Sequence, residues 1–118
     1  MSGNLKKVYN LIGIAQRAGK TSSGAMAART SLIRHRACIL LMSKDIAENT
    51  RELLMKSCAK QHIPWLVLGD KYEIGASIGK AYRVAVTIND SGMASAIVKA
   101  VEAAAKEAKT MGVVEWPK

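Results

Sequence analysis

Apolar residues recur at helical spacing near the start of the chain. Five of them fall on one face of a helix, Leu5, Val8, Tyr9, Ile12 and Ala15, and Leu11 and Ile14 widen this face. This periodicity predicts a helix over residues 4–18. Gly19 ends it, because glycine adopts the left-handed conformation that commonly follows the last turn of a helix.

A second helix is predicted over residues 24–34, after a short extended link at residues 20–22 that we assign as a minor strand. The hydroxyl of Ser22 or Ser23 can cap this helix by accepting a hydrogen bond from a free backbone N–H group. Four apolar residues form its inward face: Ala25, Ala28, Leu32 and Ile33. Four methionines also sit at core spacing and are expected to pack in the core: Met26, Met42, Met55 and Met93.

Three further segments have the composition of buried strands. Residues 37–42 and 65–68 are short, continuous apolar runs, and residues 83–88 are rich in valine, threonine and isoleucine. A continuous apolar run of strand length is typical of a strand that is covered on both faces. Cys38 lies within the first run, so we expect it to be a buried small hydrophobic residue.

Each of these strands is followed by a predicted helix. Asp45 with Glu48, and Asp70 with Glu73, have the spacing of a helix cap and of the glutamate three residues after it. The predicted helices span residues 45–60, 70–78 and 91–109. The core side of the first one is formed by Leu53, Leu54 and Cys58.

The predicted elements alternate between helix and strand along the chain. Alternation with buried strands implies a sheet between two layers of helices. We therefore expect one domain over residues 1–118, folded as a three-layer α/β/α sandwich around a mostly four-stranded mixed sheet. Residues 111–118 are left unassigned, with Trp116 expected to dock on the body of the domain.

Positive charge is concentrated in the first 44 residues. The formal net charge is +9, and this stretch contains no acid and eight basic residues: Lys6, Lys7, Arg17, Lys20, Arg29, Arg34, Arg36 and Lys44. Such an excess favours a polyanionic partner, and we expect these charges to gather at one end of the fold. Nucleic acid is favoured over an anionic membrane, because no basic amphipathic helix stands apart from the core pattern. A charge that serves solubility alone is the alternative.

Candidate catalytic and metal-binding chemistry is sparse. Cys38, Cys58, His35 and His62 are isolated in the sequence, so we expect neither a metal site nor a disulfide. No pairing of an acid with a base, or of a nucleophile with a base, is recognisable, so we expect no enzymatic activity and no cofactor. The longest apolar run has six residues, whereas a membrane span needs roughly 20. With no secretion signal recognisable, a cytoplasmic protein is expected.

Four segments together resemble one known family. They are residues 11–20 (LIGIAQRAGK), 22–24 (SSG), 39–45 (ILLMSKD) and 73–84 (EIGASIGKAYRV). In order and spacing they resemble the kink-turn RNA-binding family of archaeal and eukaryotic large-subunit ribosomal proteins seven-Ae and thirty-e. The small bacterial YlxQ-type members are the most similar. The resemblance covers about residues 5–108.

The resemblance implies a site for structured RNA, ribosomal RNA among the candidates, at one end of the sandwich. In the family the N-terminus of the second helix enters the widened major groove of a kinked RNA, where helix amides and a nearby lysine favour phosphate. A loop before the last strand meets a splayed-out nucleotide, a position that Tyr82 takes here. Without the resemblance, Tyr82 would be interpreted as a half-buried residue at the start of a strand. The residues carried over are Lys20, Ser23, Gly24, Arg29, Lys44, Asp45, Glu73, Ile74, Gly75, Lys80, Ala81, Tyr82 and Arg83.

The second helix departs from the family pattern. Where the family has Asn followed by Glu, and then a basic residue, this chain has Met26, Ala27 and Thr30. Met and Ala side chains cannot hydrogen-bond to base edges, so the sequence leaves open whether a kink-turn is recognised specifically. We expect a ribosome-associated RNA-binding protein. A protein-interaction adaptor on the same fold is the alternative, and the identity of the RNA and the oligomeric state are left open.

Overall fold

Helices and strands alternate along the chain in the computed structural model, which describes residues 3–107 and 113–115. The helices are α1 (Gly3–Arg17), α2 (Ala25–Ile33), α3 (Glu48–Gln61), α4 (Lys71–Ser77) and α5 (Ser91–Glu107). The strands are β1 (Thr21–Ser23), β2 (Ile39–Met42), β3 (Trp65–Leu68), β4 (Ala85–Ile88) and β5 (Val113–Glu115). Trp116, which was expected to dock on the domain, lies outside the described residues.

The strands form one mixed sheet with the order β1-β4-β2-β3-β5. β2 and β3 run parallel, with Leu41 opposite Leu66, whereas β4 is antiparallel to both β1 and β2. β5 pairs antiparallel with β3 and comes from residues 111–118, for which the sequence pattern predicts no element. It adds a fifth strand to the four that were predicted.

The sheet separates two apolar layers. Because side chains alternate between the faces of a strand, Ile39 and Leu41 of β2 pack with apolar residues of α1 and α5. Leu40 and Met42 of the same strand pack instead with residues of α2 and α3. All four side chains are fully buried. The predicted three-layer α/β/α sandwich is therefore confirmed.

Four apolar residues that the sequence placed on apolar helix faces or in the core are exposed, among them Ile14 of α1 at 46%. Leu53 is 50% exposed and Ile33 is 53% exposed, although their neighbours Leu54 and Leu32 are buried. Consecutive helical residues point about 100° apart, so a helix that packs through one narrow stripe leaves the adjoining position in solvent. Met26 is 84% exposed, so the assignment of this methionine to packing is wrong.

The capping prediction holds for α4 and fails for α3. Asp70 accepts hydrogen bonds from the N–H groups of Tyr72 and Glu73, both at 2.9 Å, and the Glu73 side chain accepts from the N–H of Asp70 at 3.1 Å. In α3 the N-cap is Ala47, with no side-chain cap. Asp45 does not cap that helix, because its Oδ1 accepts from the backbone N–H of a residue in α4, 26 positions further along the chain.

The two cysteines are free thiols in different environments. Cys58 is buried in α3, as predicted. Cys38 precedes β2 instead of lying within it and is only partly buried. The prediction of a buried Cys38 within the strand is therefore wrong, because the strand begins at Ile39, two residues later than predicted.

Candidate functional site

Four strands have one of their ends at the same end of the sheet. β1, β2 and β3 end there, and the antiparallel β4 begins there. The backbone N–H of Gly24, after β1, donates to the carbonyl oxygen of Ala85 at 2.8 Å, and that of Ser43, after β2, donates to Val84 at 2.9 Å. We call this end of the fold the loop edge, formed by residues 23–24, 43–45, 69–72 and 82–84.

Further hydrogen bonds continue across the loop edge. The N–H of Lys44 donates to the carbonyl oxygen of Gly69 at 2.9 Å. The N–H of Lys71 donates to Asp45 Oδ1 at 3.1 Å, and the carbonyl oxygen of Lys71 accepts from the N–H of Arg83 at 2.9 Å. The loop after β2, the start of α4 and the approach to β4 are thereby held together, so their side chains share one surface.

Asp45 anchors this network as a carboxylate. Desolvation raises its pKa, but the hydrogen bond from the backbone N–H of Lys71 and the positive charge of the Lys71 side chain are among the effects that lower it by more. The pKa of Asp45 therefore lies below its ordinary value. The ionised form is the one that accepts the hydrogen bond from α4.

The second helix begins at a glycine that has no side-chain cap. Gly24 is the N-cap of α2, with φ 96° and ψ 153°, and no side chain bonds to the first turn. The predicted cap by Ser22 or Ser23 is therefore wrong. The hydroxyl of Ser22 lies 2.6 Å from that of Ser31 and accepts from Asn89 Nδ2 at 3.0 Å. The first N–H groups of α2 thus have no side-chain acceptor, and the positive end of the helix dipole stays open to an anion.

A groove of about 750 Å³ lies beside the start of α2. We call it the α2 groove, and it is lined by Ser22, Ser23, Gly24, Ala25, Met26, Ala27, Thr30, Ser31, Arg36, Tyr82, Arg83 and Val84. Gly24 and Tyr82, which are far apart in the sequence, face the same space. Arg36 and Arg83 give the groove positive charge, and none of the described residues that line it is acidic.

Two exposed tyrosines lie at the loop edge. Tyr82 is 54% exposed, and Tyr72 on the first turn of α4 is 60% exposed. Their rings form an edge-to-face pair with centroids 6.3 Å apart and planes inclined by 70°. The Nζ atom of Lys71 lies 5.4 Å from the Tyr72 ring centroid and 5.5 Å from that of Tyr82. Exposed aromatic rings beside a cation can stack unpaired bases.

Three of the residues carried over from the resemblance support this surface from beneath. Glu73 completes the capping box at the start of α4. Ile74 is fully buried in the core, and Gly75 is buried under the loop that leads to Tyr82. The side chain of Ile74 therefore acts through packing, since it has no exposed surface.

The remaining predicted site residues are divided between the loop edge and other surfaces. Ser23 and Arg83 line the α2 groove, and Lys44 is exposed at the loop edge. Lys80 and Ala81 are exposed in the turn before Tyr82.

Lys20 and Arg29 lie away from both the loop edge and the α2 groove. Lys20 is at the opposite end of β1, where its carbonyl oxygen accepts from the N–H of Asn89 at 2.7 Å. Arg29 is exposed on α2 and is not among the residues that line the groove. Because each residue of a strand advances the chain by about 3.3 Å, the strand β1 holds the backbone of Lys20 about 13 Å from that of Gly24 at the loop edge.

Several residues of the site were not predicted. Arg36 and the exposed Met26 line the α2 groove, and Lys71 and Tyr72 lie at the loop edge. A signal for Tyr72 was present in the sequence. A large aromatic residue two positions after the helix cap Asp70 lies on the first turn, where the polar neighbours of α4 offer it little apolar cover.

The basic residues of the first 44 positions are distributed over both helical layers. Lys6, Lys7 and Arg17 belong to α1 on one side of the sheet, whereas Arg29 belongs to α2 on the other. The helices α1 and α2 cover opposite faces of the sheet, so their charges are separated. A common basic end is therefore not confirmed, although Arg36 and Lys44 do lie at the site.

Across residues 3–107 and 113–115, no helix is long and apolar enough to cross a membrane. Within the same part of the chain, no three His, Cys, Asp or Glu residues are grouped in a way that could hold a metal ion.

A family model and two curated relatives match most of the chain. The model is that of the ribosomal protein L7Ae/L30e/S12e/Gadd45 family, and it matches residues 6–99. The RNA-binding protein YlxQ of Enterococcus faecium is 32% identical over 100 residues, which cover 85% of this chain and 96% of the relative. The RNA-binding protein YlxQ of Bacillus subtilis is 29% identical over 94 residues, covering 80% and 94% respectively.

Two solved structures share the fold. A protein of unknown function from Bacillus halodurans superimposes with a TM-score of 0.78 at 25% identity, covering 81% of this chain and 97% of its own. The Giardia lamblia 15.5kD RNA binding protein superimposes with a TM-score of 0.70 at 15% identity, covering 92% of both chains.

Proposed function

Because this chain belongs to the ribosomal protein L7Ae/L30e/S12e/Gadd45 family, we propose that it is an RNA-binding protein. The RNA is structured, with a kink or an internal loop, and it binds at the loop edge and the α2 groove. The observation that carries the proposal is the juxtaposition of Gly24 and Tyr82 in one groove. The YlxQ relatives of similar length are named as RNA-binding proteins.

Phosphate groups would bind at the start of α2. The first N–H groups of this helix have no side-chain cap, and helix N-termini are established binding sites for phosphate. Arg36 and Arg83 line the same groove, and Lys44 is exposed nearby. Charge-assisted contacts of this kind provide most of the affinity for RNA and fix its position, but they do not select a sequence.

An unpaired base would stack on Tyr82. This side chain is more than half exposed at the rim of the groove, and sequence-specific RNA recognition commonly relies on bases that have left the helical stack. Stacking of a base on an aromatic side chain is worth about 1–3 kcal/mol. Tyr82 therefore favours RNA with a bulge or an internal loop over a regular duplex.

Base edges would be recognised only to a limited extent by α2. Met26 and Ala27 offer no hydrogen-bonding side chain, and the hydroxyl of Thr30 donates to the carbonyl oxygen of Met26 at 3.1 Å. Recognition through RNA shape is therefore favoured over direct reading of the base pairs of a kink. Association with the ribosome, in the cytoplasm, is part of the proposal because the family is one of ribosomal proteins.

A titration of three RNAs tests the proposal. A kink-turn RNA, an internal-loop RNA and a regular duplex of equal length are titrated with protein at two salt concentrations, because salt separates phosphate contacts from base contacts. We expect one of the two structured RNAs to bind at least ten-fold more tightly than the duplex at the higher salt. Equal and weak binding of all three would contradict the proposal and would favour a protein partner.

A pair of variants tests the role of Tyr82 in that titration. Tyr82→Ala is expected to weaken binding of the preferred RNA by roughly 5- to 150-fold, which corresponds to the loss of one stacked base. Tyr82→Phe keeps the ring and should bind as the wild type does. Thermal melting checks that both variants fold, since Tyr82 is exposed.

A further inference from the structure

The paired tyrosines of the loop edge carry an inference about the RNA itself. We propose that the site binds two consecutive unpaired nucleotides, with one base on Tyr82 and the other on Tyr72, and with the phosphate between them on Lys71. This inference rests on the proposed function, and it specifies which RNA that function requires. A single stacked base would need only Tyr82.

The spacing of the rings suits neighbouring nucleotides that are not stacked on each other. The centroids of Tyr72 and Tyr82 are 6.3 Å apart, whereas stacked bases in a regular helix lie about 3.4 Å apart. The planes of the rings are inclined by 70°. Two bases that are each stacked parallel to one of the rings would therefore be steeply inclined to one another. Bases in a bulge or a kinked loop can have this arrangement, whereas neighbouring bases in a duplex are nearly parallel.

Lys71 is placed where the phosphate joining two such nucleotides would pass. Its Nζ atom is nearly equidistant from the two ring centroids, at 5.4 and 5.5 Å. The backbone of Lys71 is fixed on both sides, because its N–H donates to Asp45 and its carbonyl oxygen accepts from Arg83. The charge is thus attached to a rigid part of the loop edge.

The nearby carboxylates of Asp45 and Asp70 are held by hydrogen bonds to the backbone. The Asp45 carboxylate accepts from the backbone N–H of Lys71, and that of Asp70 accepts from the N–H groups of Tyr72 and Glu73. Both carboxylates are therefore engaged with the backbone of α4. Tyr72, 60% exposed, has little to contribute to the core, so its removal should leave the fold intact.

The experiment compares RNA hairpins that differ in one nucleotide. One hairpin carries a bulge of a single unpaired nucleotide, the other a bulge of two, and both are titrated with wild type, Tyr72→Ala, Tyr72→Phe and Tyr82→Ala proteins. We expect the wild type to prefer the two-nucleotide bulge. Tyr72→Ala should weaken binding of that RNA by roughly 5- to 150-fold and leave the one-nucleotide bulge within two-fold, and Tyr72→Phe should match the wild type.

A lysine variant tests the phosphate contact separately. For Lys71→Gln, the slope of log affinity against log salt should fall by about one for the two-nucleotide bulge. An unchanged slope would overturn the role of Lys71.

The outcomes separate this inference from the proposed function. If Tyr72→Ala changes neither RNA, or both equally, while Tyr82→Ala still weakens binding, the two-nucleotide site is wrong and the RNA-binding function stands. If the wild type binds bulged hairpins no better than a regular duplex and Tyr82→Ala has no effect, both are wrong. Melting curves of all variants exclude loss of the fold as the cause.

Discussion

Gly75 lies directly against the backbone of Tyr82. A Cβ atom on Gly75 would stand 2.6 Å from the Cα of Tyr82 and 2.8 Å from its backbone nitrogen. Real Cβ atoms do not approach other atoms so closely, so only glycine allows this contact. The position of the exposed ring therefore depends on a buried residue of α4 that lacks a side chain.

The substitution Gly75→Ala is expected to disturb both the fold and the site. The added methyl group must push the backbone of Tyr82 away, which we expect to cost about 1–3 kcal/mol of unfolding free energy, as overpacking usually does. It should also weaken binding of the preferred RNA, because the Tyr82 ring is displaced. Urea unfolding and RNA titration measure the two effects.

The control for this variant is Ala76→Ser, at the exposed next position of α4. It should change the unfolding free energy by less than about 0.5 kcal/mol, as surface substitutions usually do. If Gly75→Ala is as stable as the wild type and binds RNA equally well, the loop leading to Tyr82 is not fixed by this contact.

Adjacent leucines of α3 should respond very differently to truncation. Leu54 is 1% exposed and Leu53 is 50% exposed. Leu54→Ala removes a buried side chain and leaves a cavity, so we expect a loss of about 2–5 kcal/mol. Leu53→Ala should change the unfolding free energy by less than about 1 kcal/mol. Urea unfolding of the pair measures the difference, and equal losses would show that α3 is rotated about its axis, so that both leucines are partly buried.

Stability should fall in alkaline solution. Burial raises the pKa of Cys58 to about 11, whereas the thiol of an unfolded chain has a pKa of about 8.5. Burial and the nearby Glu73 and Asp70 raise the pKa of Tyr9 as well. A group with a raised pKa in the folded state stabilises the fold fully below its unfolded pKa and loses this effect as the pH rises towards the folded value. The urea concentration at the midpoint of unfolding should therefore decrease as the pH rises from about 8.5 to 11.

A cysteine variant identifies the contribution of the thiol. Cys58→Ala should show a smaller loss of stability between pH 7.5 and 10.5 than the wild type, by up to about 1.4 kcal/mol per pH unit above pH 8.5. Leu54→Ala, a buried substitution on the same helix that removes no titratable group, is the control and should keep the pH dependence of the wild type. Identical slopes for all three proteins would exclude Cys58 as a titrating group.

Two arginines near α2 should differ in their contribution to RNA affinity. Arg36 lines the α2 groove, whereas Arg29 is exposed on the helix outside it. Arg36→Gln should lower the slope of log affinity against log salt by about one, since one phosphate contact is lost. Arg29→Gln should leave the slope unchanged. The reverse result would place the RNA on the outer face of α2.

Most helices and strands could be predicted from the sequence, because the residue patterns that specify them lie within short stretches of the chain. The strand Trp65–Leu68 and the capping box of Asp70 and Glu73 have all their determinants within a few residues. Asp45 has the same local pattern and yet does not cap α3, because a backbone N–H of α4 is a competing donor that only the folded chain brings near. Sequence spacing cannot reveal such a contact.

The site was less predictable than the fold for a related reason. The family pattern identified Gly24 and Tyr82, which lie together in the α2 groove. It did not identify Arg36 or Tyr72, since their relevance depends on how α2 and α4 are placed beside the loop edge. The division of the basic residues between two helical layers was likewise invisible in a linear count of charges.

The strands β1 and β5 occupy opposite margins of the sheet. Four interstrand steps of about 4.8 Å separate them, or about 19 Å in total, and the α2 groove borders β1 through Ser22 and Ser23. A fluorophore or surface tether joined next to β5 would therefore stand well clear of a nucleic acid in the groove. Immobilisation through that margin would leave the groove facing solution, and energy transfer to a dye on the RNA would report a separation set by the width of the sheet.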